Sequence, residues 1–381
     1  MEHLDRYRVG GYVRDRLLGL EPIDCDWVVV GAVPRVMLEL GFIQVGKEYP
    51  VFLHPETREE YALARTERTV SPGCRGFEVD ISETVTIEED LARRDLTINA
   101  IAMDLDGNLI DPFGGVEDLR AGVLRHVSEA FVVEPVRILR IARFAARYGF
   151  EVAPETLDLM CRMVAAGEVD ALMPERVWLE IHKALVETRP SEFVRILHAC
   201  GALERLLPEL AVLDGVPQPE RHHPEVDTFV HVLMALDQAA RLTTDPVIRF
   251  AVLMHDLGKG VTPEEEWPRH IGHEKAGVPL VNEVADRYRI PNEYRRLARL
   301  TSAHHLRAHR ALEMKPARLV RLFNDLDAFR HPEMFERFII ACEADARGRL
   351  GLEDRAYPQG DFLREAFLVA AAVSTVCTEN S

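Results

Sequence analysis

The sequence is poor in the features that tie a chain to a membrane, a secretory route or a cysteine framework. No run of about 18 apolar residues occurs, so no membrane span is expected. The N-terminus, MEHLDRYRVGG, mixes charges and has no apolar signal core, which argues against export and for a cytoplasmic protein. The six cysteines, at positions 25, 74, 161, 200, 342 and 377, form no CxxC pair, so neither a disulfide framework nor a zinc site is expected. Positive charge is also scarce: 46 Lys and Arg face 63 Asp and Glu, a net charge of −17. The surface as a whole is therefore no nucleic-acid binder, although a local patch can still be one. One stretch, from Arg287 to Arg321, holds ten basic residues against Glu293 and Glu313, a local charge of +8. It reads equally as a set of solvated helix faces or as an RNA-facing stripe. There is no repeat of fixed period and no low-complexity tract.

What is present fits a soluble protein of two or three domains: 381 residues, 47% hydrophobic and 29% charged. The stretch VGGYVRDRLLGLEPIDCDWVVVG, Val9 to Gly31, organises the rest. Gly10 and Gly11 let a backbone approach a ligand closely, and the helix-like run from Tyr12 to Leu18 would turn free N–H groups toward an anion. Arg14 adds a bidentate donor for phosphate. A strand-like run, Trp27 to Val30, carries Asp24 and Asp26 at its mouth, two residues apart and so facing the same way. Such a pair suits one or two Mg²⁺ ions. A lone Gly-Gly is usually a turn and a lone Asp-x-Asp usually a solvated strand end; their union in one strand, helix, strand unit favours phosphate and metal chemistry. A third carboxylate is wanted on a neighbouring strand, and Glu60 in EYALAR is the candidate, with Glu59 beside it.

Gly10, Gly11, Arg14, Asp24 and Asp26 together resemble the active-site signature of nucleotidyltransferases related to DNA polymerase beta, and the longer string resembles the head of bacterial class II CCA-adding enzymes, the tRNA nucleotidyltransferases. The resemblance runs to about Val373. It implies Asp24, Asp26 and Glu60 as catalytic residues, with Mg²⁺ on Asp24 and Asp26, and CTP, ATP and the tRNA 3′ end as partners. In ARRDLTINA, Ala92 to Ala100, it gives Arg94 a nucleotide-binding role beside Gly11 and Arg14. The polar stretch Thr66 to Phe77 is a mobile loop by composition, and the resemblance implies that a loop of this full length serves addition of CCA over CC alone. In EPVRILRIARFAAR, Arg137, Arg140, Arg143 and Arg147 share one drifting helical face, and Pro135 is expected in the first turn. There the family has a Glu-Asp-x-x-Arg template for the incoming base, and Glu134 stands here where Asp is usual, followed by Arg137, with Arg140 and Arg143 extending the nucleotide site. A fixed carboxylate accepts from the exocyclic amino groups of cytosine and adenine and repels the carbonyls of uracil and guanine.

The C-terminal half has His231, His255-Asp256 in MHDLGKG, His273 in GHEKAG, His305 and Asp345. Their order resembles an HD-type phosphohydrolase, which implies a metal site at His231, His255, Asp256 and His305 for a divalent transition metal such as Ni²⁺. Phosphatase and cyclic phosphodiesterase activities would follow.

The expected fold class is α+β: a polymerase-beta-like nucleotidyltransferase head with a mixed sheet and helices, then an all-α body that includes the HD domain. Strands are expected at Phe42 to Val45, Val51 to His54 and Glu60 to Ala64, and a hairpin at Asp106-Gly107. From Glu134 the pattern is helical, and the residues from Ser374 read as a frayed end. The boundaries read as residues 1–130 for the head, 131–225 for a helical neck, 226–340 for the HD domain and 341–381 for a tail, acting as a monomer or a homodimer. The rivals are a poly(A) polymerase with a similar head, an HD hydrolase with a vestigial head, and a non-catalytic RNA-binding protein. If Glu134 selects C and A, a Glu134→Ala enzyme will lose discrimination against UTP and GTP in primer extension; unchanged selectivity would refute the role.

Overall fold

A computed structural model describes residues 4–45, 51–69, 77–221 and 223–379. The chain divides into two units, Met1–Ile141 with Tyr148–Met163, and Ala142–Arg147 with Val164–Ser381.

The first unit opens with β1 (Asp5–Val9), α1 (Gly11–Leu17), β2 (Asp26–Val30), α2 (Pro34–Glu39), β3 (Ile43–Val45), β4 (Val51–Leu53) and β5 (Glu60–Leu63). Then follow β6 (Thr66–Thr69), β7 (Phe77–Asp80), α3 (Ile87–Ala92), β8 (Ala102–Met103), β9 (Leu109–Ile110), α4 (Gly115–Ala121) and β10 (Val123–Leu124). Seven strands form one mixed sheet in the order β3-β4-β5-β2-β1-β8-β9. β2 is central and nearly all apolar because both its faces are covered. Val28 packs with Val9, Ala64, Ile87 and Leu91 on one side, while Trp27 and Val29 pack with Met37, Phe52, Tyr61 and Leu63 on the other. β2 runs antiparallel to β1 and parallel to β5, which sets Asp26 opposite Glu60. α3 starts at a capping box, Thr86 accepting from Glu89 N while Glu89 accepts from Thr86 N. The Asp-Gly hairpin forms as expected, with β8 and β9 antiparallel and Gly107 at φ 90°.

Three local expectations change. The stretch 66–77 is not all loop: β6 and β7 pair antiparallel at its ends, and 70–76 lie outside the described residues. The arginine helix, α5 (Arg137–Tyr148), starts three residues after Glu134. A proline disfavours helical geometry in the residue before it, and Glu134 is accordingly extended at φ −132°, ψ 93°. Pro135 sits in a tight turn ahead of the helix, where Arg137 N donates to Glu134 O and Ile138 N to Pro135 O. After α5, β11 (Glu151–Val152) pairs parallel with β10, so the chain is not purely helical beyond Glu134; two-residue strands carry no readable alternation.

The following elements are α6 (Pro154–Ala165), α7 (Pro174–Leu185), α8 (Pro190–Ala199), α9 (Ala202–Leu206), α10 (Pro208–Ala211), α11 (Thr228–Leu242) and α12 (Pro246–Met254). The chain closes with α13 (His273–Arg287), α14 (Asn292–His309), α15 (Pro316–Asp325), α16 (Pro332–Arg347) and α17 (Pro358–Glu379). α17 continues past Ser374, since its Ala- and Val-rich end lacks a helix breaker. α12 is apolar almost all round and buried, as expected of a helix wrapped by others. Among the described residues no helix is long and apolar enough to cross a membrane.

The surplus of positive charge between 287 and 321 is largely answered by carboxylates. Arg287 pairs with Glu209, Arg289 with Glu175, Arg295 with Asp286, Arg296 with Asp327, Arg307 with Asp325 and Arg310 with Glu313. Six of the ten cations are thereby engaged, which favours the solvated-face reading.

Gly258, in the 3₁₀ turn Leu257–Val261, lets the start of α13 come close. A Cβ there would overlap the His273 carbonyl oxygen and lie 2.6 Å from Gly277 N. A Gly258→Ala protein should lose about 1–3 kcal/mol of stability in a denaturant titration; an unchanged midpoint would show that the turn and α13 can move apart freely.

Candidate active sites

In the first unit, Gly10 caps α1 at φ 62° and ψ −125°, a conformation open to glycine and costly for other residues. A Cβ there would stand 3.2 Å from Arg94 Nη1, so the glycine also makes room for that guanidinium. α1 has only seven residues, so the charge at this spot comes from arginines more than from a helix dipole. Arg94 Nη2 donates to Asp90 Oδ2 at 3.1 Å, and its buried Nε makes no hydrogen bond among the described residues. Asp90 is held below the usual carboxylate range: burial pushes it up, but Arg94 and Arg93 outweigh that.

Asp26 and Glu60 meet at the mouth of β2, while Asp24 acts on Asp26 from outside the strand and does not join the two in a three-acid group close enough to share one ion among the described residues. Asp26 and Glu60 are register partners in a parallel pair and therefore share a sheet face. Partial desolvation raises the Asp26 pKa, and Glu60 and Asp24 raise it further against the opposing pull of Arg94. Crowded acids of this kind are relieved by a bound cation, and oxygen donors alone are the chemistry of Mg²⁺. Glu59 affects Cys25, whose thiol burial and this carboxylate push up to about 11. Thus Glu60, not Glu59, accompanies Asp26.

Arg14 is buried and joins a chain of hydrogen bonds. Tyr148 Oη donates to Asp15 Oδ1 at 2.8 Å, as does Arg14 Nε at 2.8 Å. Arg14 Nη1 donates to Asn99 Oδ1 at 2.6 Å, Asn99 Nδ2 to Asp95 Oδ1 at 3.0 Å, and Arg140 Nε to Asp95 Oδ2 at 2.8 Å. Burial pushes Asp95 up, but Arg140 and Asn99 hold it at about 2. Two expected site arginines, Arg14 and Arg140, are therefore tied together through Asn99. Arg137 donates to Ala130 O at 3.0 Å and Arg93 O at 2.8 Å, and Glu134 Oε2 lies 3.8 Å from its Nε. Arg143 belongs to the second unit, where it is buried against Glu180 at 2.7 Å, with Glu187 at 3.8 Å.

The second unit gathers its imidazoles and carboxylates from α11, α12, α13, α14 and α16. His231 Nε2 is 3.2 Å from Asp345 Oδ1 and 3.8 Å from Asp256 Oδ2. His255 Nε2 is 3.1 Å from Asp256 Oδ2 and 3.8 Å from Asp345 Oδ1. On the other side of Asp256, Oδ1 lies 3.4 Å from His273 Nε2 and 3.7 Å from His305 Nε2. All six are buried. The Nδ1 atoms are held by main-chain carbonyls: His255 by Val252 O, His273 by His270 O and His305 by Thr301 O. This aims each Nε2 inward. Burial depresses His305 to about 3, which keeps its imidazole neutral, while His255 is raised, its burial outweighed by Asp256 and Asp345. Asp256 Oδ1 and His255 Nε2 are buried without a hydrogen-bond partner among the described residues. Mixed nitrogen and oxygen donors at these separations suit a divalent transition metal.

Sequence reasoning gave no role to Lys259, whose Nζ donates to Asp256 Oδ2 at 2.6 Å, or to His309, whose Nε2 donates to Asp345 Oδ2 at 2.6 Å. Lys259 is one turn beyond Asp256 and His309 one turn beyond His305, so helical spacing carried both signals. Glu225, 3.0 Å from His231 Nδ1, had none.

Three family models match in sequence order: the poly A polymerase head domain at residues 6–125, the "Probable RNA and SrmB- binding site of polymerase A" at 149–213 and the HD domain at 228–345. Among solved structures, a CCA-adding enzyme in an apo form is 24% identical with a TM-score of 0.64, over 97% of this chain and 79% of that one. The Thermotoga maritima CCA-adding enzyme complexed with tRNA is 22% identical with a TM-score of 0.60, again over 97% and 79%. These likenesses show the fold. The multifunctional CCA protein of Thioalkalivibrio sulfidiphilus is 60% identical over 97% of this chain and 91% of its own length. That of Methylococcus capsulatus is 60% identical over 97% and 88%. With such identity along nearly its whole length, this chain belongs to the family of multifunctional CCA proteins.

Proposed function

We propose that the protein adds C, C and A to the 3′ end of tRNA from CTP and ATP without a nucleic-acid template, and that its second unit is a metal-dependent phosphohydrolase. The observation that carries the first part is the side-by-side register of Asp26 and Glu60, with Arg94 against Gly10 and acting on Asp26. Mg²⁺ on Asp24 and Asp26, with Glu60 beside them, would neutralise the triphosphate and make the terminal 3′ hydroxyl a better nucleophile. Gly11 and Gly10 admit the nucleotide, and Arg14 and Arg94 hold its phosphates. Arg140, fixed by Asp95, extends that site. Glu134 accepts from the exocyclic amino group of C or A, with Arg137 behind it. The 3′ oxygen bonds to the α-phosphorus, the bond to the β-phosphate bridge breaks, and pyrophosphate leaves. The protein's part is positioning and charge stabilisation.

The HD centre supports phosphatase and 2′,3′-cyclic phosphodiesterase chemistry, with His231, His255, Asp256, Asp345 and His305 as metal donors and Ni²⁺ as the proposed ion. Residues 1–130, 131–225, 226–340 and 341–381 are the proposed head, neck, HD domain and tail, with the start of the last segment supplying Asp345 to the HD centre, and the protein is proposed to work in the cytoplasm as a monomer or homodimer. Incubation of a tRNA lacking its 3′ CCA with CTP, ATP and Mg²⁺ should extend it by three nucleotides; no extension would sink the reading.

Replacing one metal-site acid should cost several kcal/mol of transition-state stabilisation, so Asp26→Asn should slow nucleotide addition about 10³-fold. Hydrolysis of a phosphomonoester by that variant should be unchanged. Conversely, His255→Ala should abolish Ni²⁺-stimulated phosphatase activity and leave CCA addition intact. Simultaneous loss of both activities in either variant would argue against two independent centres.

A further inference from the structure

His231 is anchored differently from the other three inward-facing histidines. His255, His273 and His305 turn Nδ1 toward a carbonyl of their own or the preceding turn. His231 Nδ1 lies 3.0 Å from Gly348 O and also 3.0 Å from Glu225 Oε1. Two acceptors and no donor at one nitrogen require that it carry the proton, which leaves Nε2 facing Asp345 and Asp256. The Glu225 side chain is 2% exposed. Its Oε1 also lies 3.0 Å from His223 Nδ1, and Oε2 accepts from Leu350 N at 3.3 Å.

The backbone that presents this carboxylate is strained. Val226 has φ 60°, a left-handed conformation that a β-branched residue rarely adopts. Asp227 N donates to Glu225 O at 2.7 Å, the hydrogen bond of a γ-turn of the rare positive-φ kind. Strain of this sort persists only where surrounding contacts over-determine it. Here it lets the chain bend directly into the Asp227 cap of α11, where Asp227 Oδ1 accepts from Val230 N, while Glu225 stays beside His231.

We propose that Glu225 is a positioning residue of the HD centre: its carboxylate fixes the His231 ring with Nδ1 protonated and so keeps the Nε2 lone pair aimed at a bound divalent metal. It orients a donor and does not itself ligate. The proposal rests on the metal reading of the centre given above. Outer carboxylates of this kind are typically worth about 10- to 100-fold in metal affinity.

The test is titration of the metal-free full-length protein with Co²⁺, followed by calorimetry and by the visible absorption of the bound ion. Glu225→Leu should weaken binding about 10- to 100-fold, and Glu225→Gln, which keeps an oxygen acceptor without charge, should fall between it and the parent. Val226→Gly relieves the strain and keeps the carboxylate, so it should bind as the parent does. Equal affinity of Glu225→Leu and parent would overturn the proposal while leaving the metal reading intact. No Co²⁺ binding by the parent would overturn the metal reading, and this one with it. Should Glu225→Leu fail to fold, ¹⁵N NMR of the unaltered Zn²⁺-loaded protein decides: a proton on Nδ1 of His231 supports the assignment, and a bare Nδ1 refutes it.

Discussion

Like charges held side by side govern both halves of this chain. In the head, the parallel register of β2 and β5 sets Asp26 beside Glu60, and Asp24, just ahead of β2, adds its charge to theirs. Sheet hydrogen bonding fixes that arrangement before any ligand arrives, so the repulsion is built into the backbone. In the HD centre, Asp256 and Asp345 are buried and yet held well below the usual carboxylate range. Burial opposes this, but His255 and Lys259 outweigh it at Asp256, and His309 and His255 at Asp345. A protein keeps such clusters only where cations compensate them.

Arginine supplies much of that compensation in the head, and it does so at two levels. Arg94 stands close enough to Asp26 to oppose part of the push from burial, Glu60 and Asp24 while keeping one buried N–H unengaged among the described residues. Arg93 and Arg137 act on the scaffold instead, gripping Asp90 and main-chain carbonyls. Sequence spacing groups these side chains as one basic surface. Their partners divide them into Arg94, which keeps a donor uncommitted among the described residues, and Arg93 and Arg137, which tie the scaffold together.

Much of this was legible in the sequence, and the illegible parts have physical reasons. The apolar run Trp27 to Val30 announced a central strand, and the Asp106-Gly107 pair announced its hairpin, because both signals are local. The ordering of His231, His255-Asp256, His273, His305 and Asp345 announced the HD centre as a set. What stayed hidden depends on geometry between distant residues. Asp345 meets His231 across 114 positions, Glu225 sits in an aperiodic turn whose bend depends on an unfavourable Val226, and Arg143 finds Glu180 on another helix. The start of α5 was misplaced for a local reason, the restriction that Pro135 puts on Glu134. Pairing of β6 with β7 was masked by a polar composition that reads as loop.

The hydrogen-bonded series from Tyr148 through Asp15, Arg14, Asn99 and Asp95 to Arg140 bears on how such a head can change over generations. Each member satisfies the next, and the amide of Asn99 has its oxygen and nitrogen committed in opposite directions. Replacing an interior member such as Asn99 breaks a hydrogen bond on each side, at a net cost of about 0.5–1.5 kcal/mol apiece. Neutral drift through these positions is therefore closed to one-step substitutions and open only to concerted ones. Lineages that diverge here should differ at several of the six places at once or at none.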